Sequence, residues 1–465
     1  MPAVSSRRVI TIVGGGFAGT ALALHLTRQP GSLAVDIHLI EPRATPGPGL
    51  AYGTEHLEYL LNVRADGMSV WQEEPCHFAR WLVAQPESIH GAPEFAPRAT
   101  YGRYLHHTLQ AALQQSPANG SRLHCHSRTA TAVPPLPNGQ RAVRLDNGLE
   151  IISDYVVLAL GNFPSPPPAG PDLRYLSHAG YHTDPWVSGG LAGIAPDETV
   201  LLIGSGLTAV DVLLGLRRAG HRAPITVVAR HGRWPAVHGP ATGGYPNFYP
   251  ELAGLRTVAQ VLAVVRRHFR AAAAQGHDWR AVLDALRPNL GHIWAAWPLV
   301  EQARFLRHLA SRWSVARHRS PPQNAAAIAD MAAGGRLQMQ LGRVGEIVPD
   351  GTALRVQVRG GGGPDGWLRA QHVISCVGPL LDYSRIQTPV VALLRATGEL
   401  VPDPLRLGIC TDDHGALLNT TGAPSASLFT LGASRRPAYF ESTAVPELRQ
   451  QAATLAAELS RRLGA

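Results

Sequence analysis

The sequence predicts an α/β protein built from two Rossmann-type dinucleotide-binding domains, a two-nucleotide flavoprotein fold, with a helical insertion in the second domain. Two glycine loops carry that prediction. The first follows the apolar strand Val9–Val13 and reads Gly14-Gly15-Gly16-Phe17-Ala18-Gly19. The second follows Val200–Ile203 and reads Gly204-Ser205-Gly206-Leu207-Thr208-Ala209. In this motif the first glycine makes a tight turn and the second lets backbone approach a pyrophosphate. The third small residue packs the helix, whose N-terminal N–H groups face the anion. One such loop is weak evidence. Two in strand–loop–helix context imply two dinucleotides, and the usual reason for holding both is hydride transfer from a nicotinamide to a flavin.

The residue closing each second strand sorts the two sites. An amphipathic helix follows the first loop, and the strand Val35–Ile40 then ends at Glu41. A carboxylate there is placed to accept both hydroxyls of an adenosine ribose, which suits FAD. The strand Ile225–Ala229 ends instead at Arg230, with Arg233 close behind. An acid would repel a 2′-phosphate, whereas a guanidinium grips one with a bidentate fork. The second cofactor therefore reads as NADPH, with NADH as the other possibility if Arg230 is only a solvated arginine.

The remaining elements follow in order. A Gly/Pro-rich loop, Pro46 to Gly53, precedes helices near Phe78–Gln85 and Tyr101–Gln115. Strands are expected at Ala142–Leu145 and Asp154–Leu160, the latter running into Gly161 and a proline-rich link, Pro164 to Pro171. After Arg233 a mostly helical insert occupies about 251–333, rich in Ala, Arg, Trp and His. Strands resume at Leu337–Leu341, Leu354–Val358 and His372–Val377, the last ending at Gly378. A final strand, Ser427–Leu431, ends at Gly432 and precedes a helix starting near Pro446. A late glycine lets backbone approach the ribityl chain, and a helix N-terminus stabilises charge on a reduced flavin. The domains are accordingly 1–190 with 380–465 for FAD and 196–379 for NAD(P).

Composition removes several function classes. The formal charge of +9 comes from arginine alone, because the chain contains no lysine. The arginines are scattered and no nucleic-acid motif accompanies them, so a nucleic-acid partner is not expected. Schiff-base and Walker-A lysines are excluded outright. The four cysteines, Cys76, Cys125, Cys376 and Cys410, form no proximal redox pair, and no metal-ligand spacing is present. No apolar run reaches the roughly 18 residues of a membrane span, so no membrane partner is expected and a reducing cytoplasm is the default location.

Several segments are distinctive: Pro48-Gly49-Leu50-Ala51-Tyr52-Gly53, Leu60-Leu61-Asn62-Val63 with Met68-Ser69, Gly204–Asp211, Arg317–Pro321, and Glu441–Arg449. Together they make the chain resemble the bacterial family of FAD/NAD(P)-binding proteins typified by the enterobacterial protein YdhS. That family looks related to flavin-dependent N-hydroxylating monooxygenases, among them nitrosuccinate synthases, which oxidise the amine of aspartate. The resemblance implies the two-nucleotide fold without fixing a substrate. One departure stands out: Gly432-Ala433-Ser434 replaces the Gly-Asp usual in glutathione-reductase-type flavoproteins. Gly291-His292-Ile293-Trp294-Ala295-Ala296-Trp297-Pro298 has the composition of a Baeyer–Villiger fingerprint but the wrong spacing, and reads as helix packing.

The expected function is an FAD-dependent, NAD(P)H-using monooxygenase acting through a C4a-hydroperoxyflavin on a small-molecule amine. Such chemistry asks for a dry pocket and well-placed donors rather than a triad. Tyr52, Asn62, Val63 and Met68 are expected to line the flavin, with Asn62 the candidate catalytic donor; Arg64, Arg435 and Arg436 are candidates for a substrate carboxylate. The alternative is a flavin reductase or dehydrogenase passing electrons to a quinone, imine or partner. The expected partners are a small-molecule substrate, an acidic amino acid or amine, molecular oxygen, and a second copy in a homodimer.

Overall fold

The computed structural model describes all residues except 1–6, 30–32, 86–93, 116–118, 169, 171, 188, 240–243, 361–365 and 465. Two positions of the expected linker, 169 and 171, thus lie outside the described residues.

The first sheet has six strands in the order 416–418, 424–430, 155–158, 8–13, 35–40 and 122–126. The strand Arg8–Val13 is central, pairing in parallel with Val35–Ile40 on one side and Tyr155–Leu158 on the other. Buried on both faces, it reads as the near-continuous apolar run typical of parallel sheets. The second sheet has five parallel strands in the order 337–341, 225–229, 200–203, 372–375 and 181–182. The chain enters this sheet at Tyr181–His182, ahead of the expected boundary at 190. Two small antiparallel sheets flank these, one of strands 130–132, 141–145 and 150–153, the other of strands 343–350, 353–359 and 367–370.

Both glycine loops leave their sheets in the same way. The Gly14 N–H donates to Ile40 O at 2.8 Å, and the Gly204 N–H donates to Val228 O at 2.9 Å. A methyl on Gly14 would lie 2.2 Å from Ala159 O, and one on Gly204 would lie 2.8 Å from Cys376 O. Their φ angles are +110° and +107°. Only glycine fits a turn this close to the neighbouring strand.

Helix Val445–Gly464 packs against helix Phe17–Arg28, burying Leu448, Ala452, Leu455 and Leu459 in the first core. The insert forms helices Val258–Ala274, Trp279–Leu286, Leu290–Ala296, Leu299–His308, Ala310–Arg317 and Pro322–Ala333. It has its own core, in which Trp294 and Trp297 pack with Phe248 and Phe440, so these tryptophans are packing residues. Two expectations are revised locally. The Pro46–Gly53 loop contains a short helix, Gly49–Tyr52, and the strand Arg122–His126 forms an edge of the first sheet. Among the described residues no helix is long and apolar enough to cross a membrane.

Candidate functional site

A cavity of about 510 Å³ opens where the two glycine loops face each other. Its wall takes residues from the first loop (Gly14, Gly16, Phe17, Ala18) and from the second (Leu207, Thr208). Tyr52, Asn62, Val63, Met68, Gly161 and Gly432 also line it.

Beside the first loop, Glu41 is buried and its Oε2 accepts the Gly15 N–H at 2.9 Å. Its Oε1 accepts from Arg43, through the backbone N–H at 3.1 Å and Nη1 at 3.0 Å. Three of about four acceptor positions on the carboxylate are thus filled, and one remains for a hydroxyl from the cavity. The PGPGLAYG segment lies directly on the first glycine loop. The Gly47 N–H donates to Gly15 O at 2.7 Å, and a methyl on Gly49 would meet Gly16 Cα at 2.8 Å. That contact explains why this segment is glycine-rich. Gly19 does not reach the cavity: a methyl there would sit 1.9 Å from Gly14 O, so its role is to let the helix close onto its own loop.

Along the cavity wall, the Asn62 side-chain amide has no hydrogen bond among the described residues, while its backbone O accepts from His238 Nε2 at 3.0 Å. Burial pulls the His238 imidazole down to about 4, so it is neutral at ordinary pH and donates from Nε2. Arg64 reaches the residue after His238, donating Nη2 to Gly239 O at 2.6 Å, and pairs with Glu94. Tyr52 is packed against Tyr101 at 4.7 Å, and burial pushes its hydroxyl up to about 12.

Around Gly432, where a methyl would lie 3.4 Å from Ala18 Cβ, two of the distinctive sequence segments meet. Gly432 has φ +88°, donates its N–H to Gln451 Oε1 at 3.0 Å and accepts from Ser442 Oγ at 2.5 Å. Ser442 to Val445 lead into the closing helix and line the cavity. Glu441 accepts from Trp313 Nε1 at 2.6 Å and faces His318 Nε2 at 3.4 Å. Burial alone would raise the Glu441 carboxyl, but His318, Arg317 and Trp313 together outweigh it and hold the group at about 2. Arg287 forms a fork on Glu447 at 2.6 and 3.0 Å, and Arg317 reaches the same carboxylate at 3.3 Å.

The second loop contributes less to the wall than the first. Gly204 makes its turn, Ala209 is core, and Gly206 and Gly378 have open space where a methyl would stand, but none of the four lines the cavity. Arg230 and Arg233 are exposed outside it, and neither guanidinium has a partner among the described residues. The backbone O of Arg233 accepts from Ser205 Oγ at 2.8 Å, which ties this segment to the loop.

Sequence reasoning missed Arg43, Arg98, Trp186 and His318 as wall residues. Arg98 opens helix Arg98–Gln114 and pairs across the cavity margin with Asp211 of helix Leu207–Arg218 at 3.4 Å. Burial raises Asp211 to about 6, against the opposing pull of Arg98. Asp211 was visible in the GSGLTAVD run; Arg98 had no signal of its own.

The residues present fit an extended flavin dinucleotide. The N-termini of the helices that open at Phe17 and Val445 both reach the cavity, where a methyl on Gly432 would lie 3.4 Å from Ala18 Cβ, and Glu41 keeps a spare acceptor position in the wall. Gly16 and Gly161 line it, with no atom nearer than 3.5 Å to an added methyl at Gly16 and none within 4 Å at Gly161.

Comparisons with known proteins agree with this architecture. Residues 11–163 match a family model described as FAD-NAD(P)-binding. Over 253 residues the chain is 28% identical to the FAD-binding monooxygenase ausC of Emericella nidulans, covering 48% of this chain and 34% of that protein. The match thus spans about a third of the length of that curated relative. Among solved structures, the reduced ornithine hydroxylase PvdA from Pseudomonas aeruginosa aligns with a TM-score of 0.63 and 14% identity, over 98% of this chain and 99% of that one. The L-lysine 6-monooxygenase from Pseudomonas syringae aligns with a TM-score of 0.61 and 18% identity, over 98% and 100%. These likenesses show the fold: an α/β two-dinucleotide-binding flavoprotein.

Proposed function

We propose that the chain is an FAD- and NADPH-dependent monooxygenase acting on a small-molecule amine. The observation that carries this reading is one cavity walled by both dinucleotide loops and by the turn that opens the closing helix. The proposed FAD-binding region is 1–190 with 380–465, less the Tyr181–His182 strand, and the nicotinamide region is 196–379. Motif resemblance to the family typified by YdhS supports the same assignment.

Bound FAD, reduced by NADPH, supplies the oxygen activation. The chain's residues bind, orient and exclude water. Gly14, Gly16 and the helix that opens at Phe17 hold the pyrophosphate, with Ala18 beside it and Gly19 closing the turn. Glu41 takes the adenosine ribose. Tyr52, Val63 and Met68 pack the ring system, Gly161 and Gly432 admit the ribityl chain, and the Asn62 amide offers a donor at the reacting face. On the nicotinamide side, Gly204 makes the turn, Gly206, Leu207 and Thr208 receive the second pyrophosphate, Ala209 packs the helix against the sheet, Gly378 leaves open space after the neighbouring strand, and Arg230 with Arg233 grips the 2′-phosphate. The fold neighbours act on ornithine and lysine by their names, which supports an amine as substrate class. A cytoplasmic location and homodimerisation belong to the same proposal.

The test is incorporation of ¹⁸O from labelled O₂ into an amine during NADPH turnover by the FAD-loaded protein. Label in the product supports the reading. NADPH oxidation that yields only peroxide with every amine, and full rates with a quinone, supports the reductase instead.

A further inference from the structure

Three arginines line the cavity: Arg43, Arg98 and Arg436. Arg43 is paired with Glu41, and Arg98 with Asp211. Arg436 has no carboxylate partner among the described residues, and its buried Nε has no hydrogen-bond acceptor. The other two arginines suggested by the sequence for a substrate carboxylate are committed elsewhere. Arg64 pairs with Glu94 and the Gly239 carbonyl, while Arg435 is buried and donates to the backbone O atoms of Asp412 and Asp413 at 3.0 and 2.9 Å. The geometry points to Arg436 as the specificity-determining residue that binds a carboxylate on the substrate. This inference rests on the oxygenase reading above and narrows its substrate to an amine that also carries a carboxylate.

The surroundings hold that guanidinium in place and leave its charge unanswered. Arg436 opens the turn Arg436–Tyr439 directly after the Gly432 segment. It lies over the Phe440 ring at 5.0 Å, and that ring stacks on Trp294 at 4.8 Å. Trp294 Nε1 donates to Pro437 O at 2.8 Å, so the insert pins the turn from outside. Glu441, the acid whose charge acts on Arg436, is already engaged by Trp313 and His318. Burial lowers the Arg436 guanidinium from its ordinary value, and the charge of Glu441 only partly opposes that. One planar fork of donors matches one carboxylate.

The experiment titrates the full-length, FAD-loaded protein with acetate, succinate and glutarate, each against its neutral amide. Flavin absorbance and tryptophan fluorescence are read together. The expected result is a saturable change with at least one carboxylate and none with its amide, weakened about 10-fold or more in Arg436→Gln and partly retained in Arg436→Lys. The lysine variant keeps the charge and separates lost fold from lost recognition. Equal responses to acid and amide, no response to any carboxylate, or unchanged binding in Arg436→Gln would overturn the inference. So would an Arg436→Gln variant that loses FAD affinity but keeps carboxylate binding, because the arginine would then serve the flavin. Failure of the oxygenase reading shows separately, as no FAD uptake or no reduction by NADPH, with the fluorescence titration still readable.

Discussion

Arg98 and Asp211 form an ion pair at 3.4 Å that joins the two nucleotide units at the margin of the cavity. Asp211 is buried at 3% exposure, and burial raises its carboxyl from 3.8 to about 6. A raised acid binds its proton more tightly in the folded state. It therefore costs nothing below pH 4, and stability falls as pH rises from 4 to 6. The rise corresponds to about 3 kcal/mol. Asp211→Asn should lack that slope. Urea unfolding from pH 4 to 7 should show the difference between wild type and variant changing by about that amount, and parallel curves would contradict it.

Glu441 behaves oppositely. It is held at about 2 against an ordinary 4.5, so its contribution is complete above pH 4.5 and is lost as pH falls toward 2. Glu441→Gln should cost about 3 kcal/mol at pH 7, with the penalty shrinking below pH 4. Denaturant midpoints at pH 7 and pH 3 measure this. An equal penalty at both would mean that the carboxylate's charge is not what matters.

Two glycines should separate fold from cofactor binding. A methyl at Gly19 would stand 1.9 Å from Gly14 O, so Gly19→Ala should lose about 3 kcal/mol or more. A methyl at Gly161 meets nothing within 4 Å, although its φ of +68° costs an alanine about 1–2 kcal/mol. Gly161→Ala should fold and lose FAD affinity, because the methyl enters the cavity. Thermal melts paired with FAD titrations distinguish the two.

The exposed Arg230 should be silent in stability, within about 0.5 kcal/mol on truncation. Arg230→Ala should raise KM for NADPH by roughly 10- to 100-fold and leave NADH unaffected. Equal losses for both nucleotides, or for neither, would remove the 2′-phosphate assignment.

Much of this was legible in the sequence. Parallel strands buried on both faces leave apolar runs, and Val200–Ile203 and Ile225–Ala229 fall where those runs place them, while Val35–Ile40 and the edge strand Leu337–Leu341 show as alternating patterns. The glycine loops were legible because steric contacts such as Gly14 against Ala159 O admit no other residue. The edge strand Arg122–His126 was not, because three of its five residues are Arg or His and two are exposed beside a further exposed cysteine. Arg98 and His318 were illegible as cavity residues because long-range packing alone brings them there. The Arg317–Pro321 and Glu441–Arg449 segments stood out in the sequence without a stated reason, and the His318–Glu441 and Arg317–Glu447 contacts provide one.

In the proposed reaction, one cavity holds a flavin that NADPH reduces and that then activates oxygen. Rapid mixing of the NADPH-reduced, FAD-loaded protein with oxygenated buffer, in the presence of a carboxylate-bearing amine, tests it most directly. The expected result is a transient absorbance distinct from both oxidised and reduced flavin before the oxidised spectrum returns. A protein that takes up no FAD, or whose flavin NADPH leaves oxidised, would contradict it.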